Sequence, residues 1–148
     1  MKNILTLLIA TVIVVTPVMA QKMDMSMHQM NEMNDSRISL GLSPQMKQHQ
    51  LANMRSHVKA VHDIIAFLAE DKFDEAAAIA HNKLGLTPEM KKMCNMFDNA
   101  DFTKIGLAFH KQADKLGEVL KTHEMKRSLS ALHTTMNSCV QCHATFRQ

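Results

Sequence analysis

The residues of this chain that could do chemistry are concentrated in one short run, Cys139-Val140-Gln141-Cys142-His143. Two thiols three residues apart, followed directly by a histidine, form the pattern that attaches a c-type haem. Each thiol can add to one haem vinyl group, and a neutral imidazole can give a nitrogen to the iron. Residues three and four apart share one side of a helix, so the thiols and the imidazole would face one flat ring. The run therefore predicts one covalently bound haem c, held by Cys139 and Cys142, with His143 as an axial ligand of the iron.

Other uses of paired cysteines are less compatible with this sequence. Cysteines at this spacing also occur in zinc sites, in redox dithiols and in small disulfides of exported proteins. Zinc would need two further ligands, and the remaining cysteine, Cys94, has no partner at metal-ligand spacing. A thioredoxin-like dithiol would need a strand-helix-strand context, which the flanking sequence lacks. No nucleophile with a base, phosphate loop or pair of catalytic carboxylates is recognisable, so we expect a haem protein that is not an enzyme.

Residues 1–20 are predicted to form a secretory signal peptide. Lys2 precedes an apolar run from Ile4 to Val15, and Val18-Met19-Ala20 offers small residues for cleavage. The run is shorter than the roughly 20 residues that span a bilayer, although an uncleaved anchor is the alternative interpretation. We therefore expect a periplasmic protein, in the compartment where c-type haem is attached, with no membrane association after cleavage.

Residues 21–42 are predicted to form a flexible leader, because they are polar and low in hydrophobic periodicity. They are rich in thioethers, at Met23, Met25, Met27, Met30 and Met33. Thioethers suit Cu(I), so the leader is a candidate copper site. A flexible tail whose methionines bind nothing is the other interpretation.

Residues 43–148 are predicted to form an all-α domain. The sequence has no Trp or Tyr, only four Gly and three Pro, and many good helix formers. Its formal charge of +3 is too small and too dispersed to indicate a nucleic-acid partner. The docking of periplasmic redox partner proteins is the one interaction for which we expect this charge to matter.

Capping residues divide this domain into four helical segments. We predict starts at Ser43-Pro44, at Asp71, within Asp98–Asp101 and after Lys121–His123, with a break in the second segment at Thr87-Pro88. The inward stripe of the first helix is predicted to contain Met46, Gln50, Met54, Val58, Val61, Ile64, Ile65 and Leu68. That of the last is predicted to contain Met125, Leu129, Leu132, Met136, Cys139 and His143. Four such segments with short connections predict an antiparallel four-helix bundle with the haem in its core.

A haem motif in the last helix of an exported helical domain resembles the cytochrome c prime family. The resemblance covers about Ser43 to Gln148 and is strongest from Cys139 to Arg147, where Phe146 and Arg147 follow the ligand histidine. It implies one haem c ligated by His143, a distal haem face covered by the first helix, and frequent pairing of subunits as homodimers.

The residue on the distal face separates two functions in that family. Members with an apolar residue there are five-coordinate and bind nitric oxide or carbon monoxide, whereas members with a methionine are six-coordinate electron carriers. Met54 falls at or within one position of the distal residue, so the resemblance implies a low-spin carrier ligated by His143 and Met54. A thioether on iron favours the reduced state, which suits electron transfer. Ordinary core packing of Met54, with gas binding as the function, is the alternative.

The first and last helices are also expected to supply the other residues of the haem pocket. Val58 on the first helix and Arg147, one turn beyond His143, are expected to line the haem pocket. His49 and His57 are weaker candidates than Met54 for the sixth iron ligand, because their faces are expected to point partly outward. Where the family commonly has an arginine that pairs with a haem propionate, this chain has Gln50, so the pairing would pass to Lys47 or Arg55.

Overall fold

Helices make up 76% of the part of the chain that the structure describes, which confirms the all-α class. The structure is a computed structural model that describes residues 35–148. The predicted signal peptide and the leader up to residue 34, with its candidate copper site, lie outside the described residues. The described helices are α1 (Pro44–Ala69), α2 (Phe73–Ile79), which continues as a π-helical turn (Ala80–Leu84), α3 (Pro88–Cys94), α4 (Ala100–Leu120) and α5 (Met125–Thr145). Two short strands, β1 (Ile38–Ser39) and β2 (Phe146–Arg147), complete the described elements.

Three of the helix starts are fixed by the predicted kind of side-chain cap. The hydroxyls of Ser43 and Thr87 accept hydrogen bonds from the backbone N–H groups of Met46 and Met90, at 3.3 and 3.2 Å. In both helices a proline follows the cap, where its missing N–H costs nothing. The Oδ1 atom of Asn99 accepts from Phe102 N at 2.9 Å and starts α4. These local signals were sufficient to place the helix starts at Ser43 and Thr87, and within Asp98–Asp101, from the sequence.

The predicted cap at Asp71 is wrong. Asp71 has a left-handed φ of 55°, and α2 begins after Lys72, whose side chain makes no cap hydrogen bond. The N–H groups of Asp71 and Lys72 instead donate to Leu68 O and Phe67 O. These two residues therefore close the end of α1, the place where a left-handed residue is commonly found.

The buried stripe of α1 differs from the predicted one. Gln50, His57 and Ile64 are buried, whereas Val58 is 71% and Ile65 50% exposed. Repeated steps of four residues rotate a stripe by about 40° each around a helix of 3.6 residues per turn. A spacing of seven stays almost on one line, so the inner face follows Gln50, His57 and Ile64. The outward orientation predicted for His57 and the inward one predicted for Val58 and Ile65 are wrong.

The stripe of α5 is shifted in the same way. Ser128, Leu132 and Thr135 are buried, while Leu129 is 50% and Met136 41% exposed. The inward orientation predicted for Leu129 is therefore wrong, although Leu132 is confirmed as a core residue, and Met136 lines the space between α5 and α1.

The hydrophobic core is centred on α4. That helix packs against α2 with its π turn, against α3 and against α5, while α1 packs mainly on α2 and the π turn. The fully enclosed core side chains include Ile64 from α1, Leu84 from the π turn, and Leu116 and Leu120 from α4.

Within residues 35–148, no helix is both long and apolar enough to span a bilayer.

The end of α5 is tied to the segment that precedes α1. Strand β1 pairs in parallel with β2, with Ile38 opposite Phe146. The guanidinium of Arg37 donates to His143 O at 3.2 Å, and Lys47 Nζ donates to Gln148 O at 3.5 Å. Residues 37–40, which we predicted as part of the leader, thus contact the end of the helix that carries the motif.

We expect Leu116→Ala to lower the free energy of unfolding by about 2–5 kcal/mol, because the side chain is fully buried and its removal leaves a cavity. The matched control is Leu129→Ala on α5, since that leucine is 50% exposed. Its effect should stay within about 0.5 kcal/mol. Denaturant unfolding monitored by circular dichroism measures both changes, and equal losses in the two variants would contradict the described core.

Candidate functional site

One cavity brings together every residue that the sequence predicted for the haem site. It has a volume of about 770 Å³ and lies between α1, α3, α4 and α5. This volume falls within the range of about 300–1,000 Å³ that is typical of cofactor pockets. The predicted site residues that line it are Met54, Val58, Cys139, Cys142, His143 and Arg147. Val58 is 71% exposed, so it lies at the opening of the cavity.

The motif forms the α5 wall of this cavity. Cys139 and Cys142 are half-buried free thiols, and Cys139 packs against the hydrophobic core. Burial raises the pKa of both thiols, and the neighbouring Cys139 raises the pKa of Cys142 further. A redox dithiol needs a lowered thiol pKa, so the pair is poorly suited to thiol–disulfide exchange. The two thiols and the adjacent His143 are the groups that covalent haem attachment would require.

The α1 wall presents two polar side chains that are almost completely buried. Gln50 is 5% and His57 8% exposed, and both line the cavity. Among residues 35–148, neither Gln50 Oε1 nor His57 Nε2 has a hydrogen-bond partner. Leaving a buried polar atom unpaired costs about 1–3 kcal/mol. Both side chains line the cavity, where a bound group would be a source of the missing partner.

Both histidines of the cavity floor are neutral at neutral pH. The ring of His57 lies 5.2 Å from that of Phe109 and 5.6 Å from that of His110, measured between centroids. Burial lowers the pKa of His57 to about 4, with a smaller contribution from His110. Burial also lowers the pKa of His110, whose Nδ1 is 2.7 Å from its hydrogen-bond partner Leu84 O. The His110 ring is therefore fixed by a hydrogen bond to the backbone, whereas Nε2 of the neutral His57 ring has no hydrogen-bond partner among residues 35–148.

Four cations surround the opening of the cavity. Arg37, Lys47, Arg55 and Arg147 are exposed and line it, and no Asp or Glu side chain is among its described lining residues. Lys47 and Arg55 are the residues to which the sequence analysis assigned propionate pairing. An opening with this charge suits a ligand that is apolar in its body and acidic at its edge.

The cavity as a whole fits a haem. A haem is a flat apolar ring that carries two carboxylates, and it would meet apolar walls, two thiols, a histidine and a cationic opening. The apolar walls include Phe102, Ile105 and Phe109 of α4 and Met90 and Met93 of α3. Within residues 35–148, no cluster of three or more His, Cys, Asp or Glu side chains could hold a metal ion directly. His49 lies outside the cavity lining, and its Nε2 contacts Met93 Sδ at 2.8 Å.

Sequence reasoning placed Gln50 on the inward stripe of α1 but missed His57 as a polar residue of the inner wall. Its spacing of seven from Gln50 and from Ile64 could have placed His57 on the buried face of α1. It also missed Arg37, which lies in the predicted leader and reaches the cavity only through the pairing of β1 with β2. No local sequence signal indicates that pairing.

Comparison with family models, with curated proteins and with solved structures finds no match for the chain. The chemistry of the site is therefore inferred from its own residues.

Proposed function

We propose that this protein is an exported monohaem c-type cytochrome that transfers electrons, built as a four-helix bundle of the cytochrome c prime type with the haem in its core. One observation carries the proposal: Cys139, Cys142 and His143 line a single large apolar cavity whose opening is cationic. A bound haem would supply reversible one-electron chemistry.

The motif residues would hold the cofactor from the α5 side. Cys139 and Cys142 would anchor it through thioether bonds, and His143 would provide the proximal nitrogen. The carbonyl of His143 is fixed by Arg37, and Cys139 packs against the core, so this wall is positioned before any ligand enters. Preorganisation of this kind reduces the rearrangement that binding requires.

The opposite wall would cover the distal face and exclude water. Met54, which the resemblance favours as the sixth ligand, is half-buried on α1, and His57 is buried one turn further along. The cations at the opening would orient the acidic edge of the ring toward solvent. Electrons would then exchange with periplasmic redox proteins at this opening.

Covalent attachment can be tested by counting thiols. The described residues contain three free cysteines, of which attachment would consume two, leaving only Cys94. We expect the denatured full chain, produced in a host that attaches c-type haem, to show one titratable thiol and a mass increased by one haem. In the native protein Cys94 should react slowly, because it is 8% exposed and burial raises its pKa. Three thiols and the mass of the bare polypeptide would contradict the proposal.

Electron transfer can be separated from gas binding by the spin state of the oxidised protein. We expect a low-spin ferric haem that is reduced and reoxidised reversibly, because a side chain of α1 occupies the sixth position. A high-spin ferric haem that takes up nitric oxide readily would instead favour the gas-binding function. Electron paramagnetic resonance and nitric oxide titration distinguish the two outcomes.

The cationic opening can be tested through the reduction potential. Removing a positive charge beside the haem favours the oxidised state, so we expect Lys47→Ala to lower the potential. The shift should be roughly 20–40 mV, equivalent to about 0.5–1 kcal/mol, and smaller at high salt. Lys83→Ala is the matched control, because Lys83 is exposed but does not line the cavity. Equal shifts in both variants would show that Lys47 has no special relation to the haem.

A further inference from the structure

The α1 wall offers two side chains for the distal face, and they differ in burial. Met54 is half-buried, whereas His57 is 8% exposed and wedged against the rings of Phe109 and His110. A side chain that is already fixed loses little conformational freedom when it binds a metal. Burial therefore favours His57 over Met54 as the preorganised donor.

Both residues share one cavity with His143. Met54 and His57 line it from α1, and Cys139, Cys142 and His143 line it from α5. The hydrogen bond from Lys47 Nζ to Gln148 O joins the start of α1 to a residue three positions beyond the end of α5. Either side chain is therefore available to the face of a ring that lies opposite His143.

The missing hydrogen bond of His57 Nε2 favours His57 over Met54 as the ligand of the iron. His57 Nε2 is buried without a hydrogen-bond partner among the described residues, which is unfavourable unless a ligand engages it. The neighbouring His110 has no such need, because its Nδ1 bonds to Leu84 O. A neutral imidazole is a common iron ligand, and a bond to iron would give Nε2 the partner that it lacks.

We propose that His57 is the distal axial ligand of the haem iron, opposite His143, and that Met54 packs beside it. This inference rests on the proposed function, and it replaces the thioether that the sequence favours with a second imidazole. A methionine ligand raises the reduction potential, so two histidines imply a lower potential than the pair His143 and Met54 would give. A filled sixth position also opposes gas binding.

The test uses the full-length haem protein in its oxidised state, with near-infrared absorption and electron paramagnetic resonance as readouts. The wild type should be low-spin and should lack the sulfur-to-iron charge-transfer band. His57→Ala should lose the low-spin signal, and added imidazole should restore it. Met54→Leu, the matched control on the same wall, should keep the wild-type spectrum.

A second variant, His57→Met, tests the inference even if His57→Ala does not fold, because it is expected to add a spectral signal. In His57→Met the sulfur-to-iron band should appear and the reduction potential should rise. A band that is present in the wild type and lost in Met54→Leu would overturn the inference and leave electron transfer intact. A high-spin wild type would overturn the inference and the electron-transfer proposal together, and a chain without covalent haem would overturn the assignment of the cofactor.

Discussion

The cavity depends on the fact that α1 and α5 pack against different partners. Helix α1 lies mainly on α2 and its π turn, whereas α5 lies mainly on α4. The two outer helices are joined near one end, through β1 with β2 and through the bond from Lys47 to Gln148. Side chains that would otherwise interdigitate instead line a space of about 770 Å³. A flat cofactor can occupy such a space without any change in the helices that form it.

The charges of the site follow from this arrangement. The inner surface lies against the core, so burial raises the pKa of Cys139 and Cys142 and lowers that of His57. All three groups are therefore neutral at neutral pH. Charge is confined to the opening, where Arg55 and Lys47 reach water. A site that is neutral inside and cationic at its opening selects ligands by their shape in the interior and by their charge at the opening.

The features that the sequence predicted well are those that depend on a few neighbouring residues. The caps at Ser43 and Thr87 and the run from Cys139 to His143 are local patterns, and the structure brings the run together with Met54 in one cavity. The faces of α1 were predicted less well, because a histidine reads as polar and hence as solvent-facing. Here His57 is polar and buried because it lines a cavity, while the apolar Val58 is exposed. Hydrophobic periodicity cannot distinguish the wall of a functional cavity from the surface of the protein, and it carries no information about the contact of Arg37 with His143.

The unpaired atoms of the α1 wall also link occupancy of the cavity to stability. Among residues 35–148, His57 Nε2 and Gln50 Oε1 have no hydrogen-bond partner, which costs about 1–3 kcal/mol for each atom. Iron would engage the first, whereas Gln50 Oε1 is an acceptor and needs a donor that a haem carboxylate does not supply. A group that binds only the folded chain stabilises it, and here the stabilisation would include the relief of the unpaired His57 Nε2. The buried histidine of α1 is therefore the polar side chain through which a bound haem would contribute most to the fold.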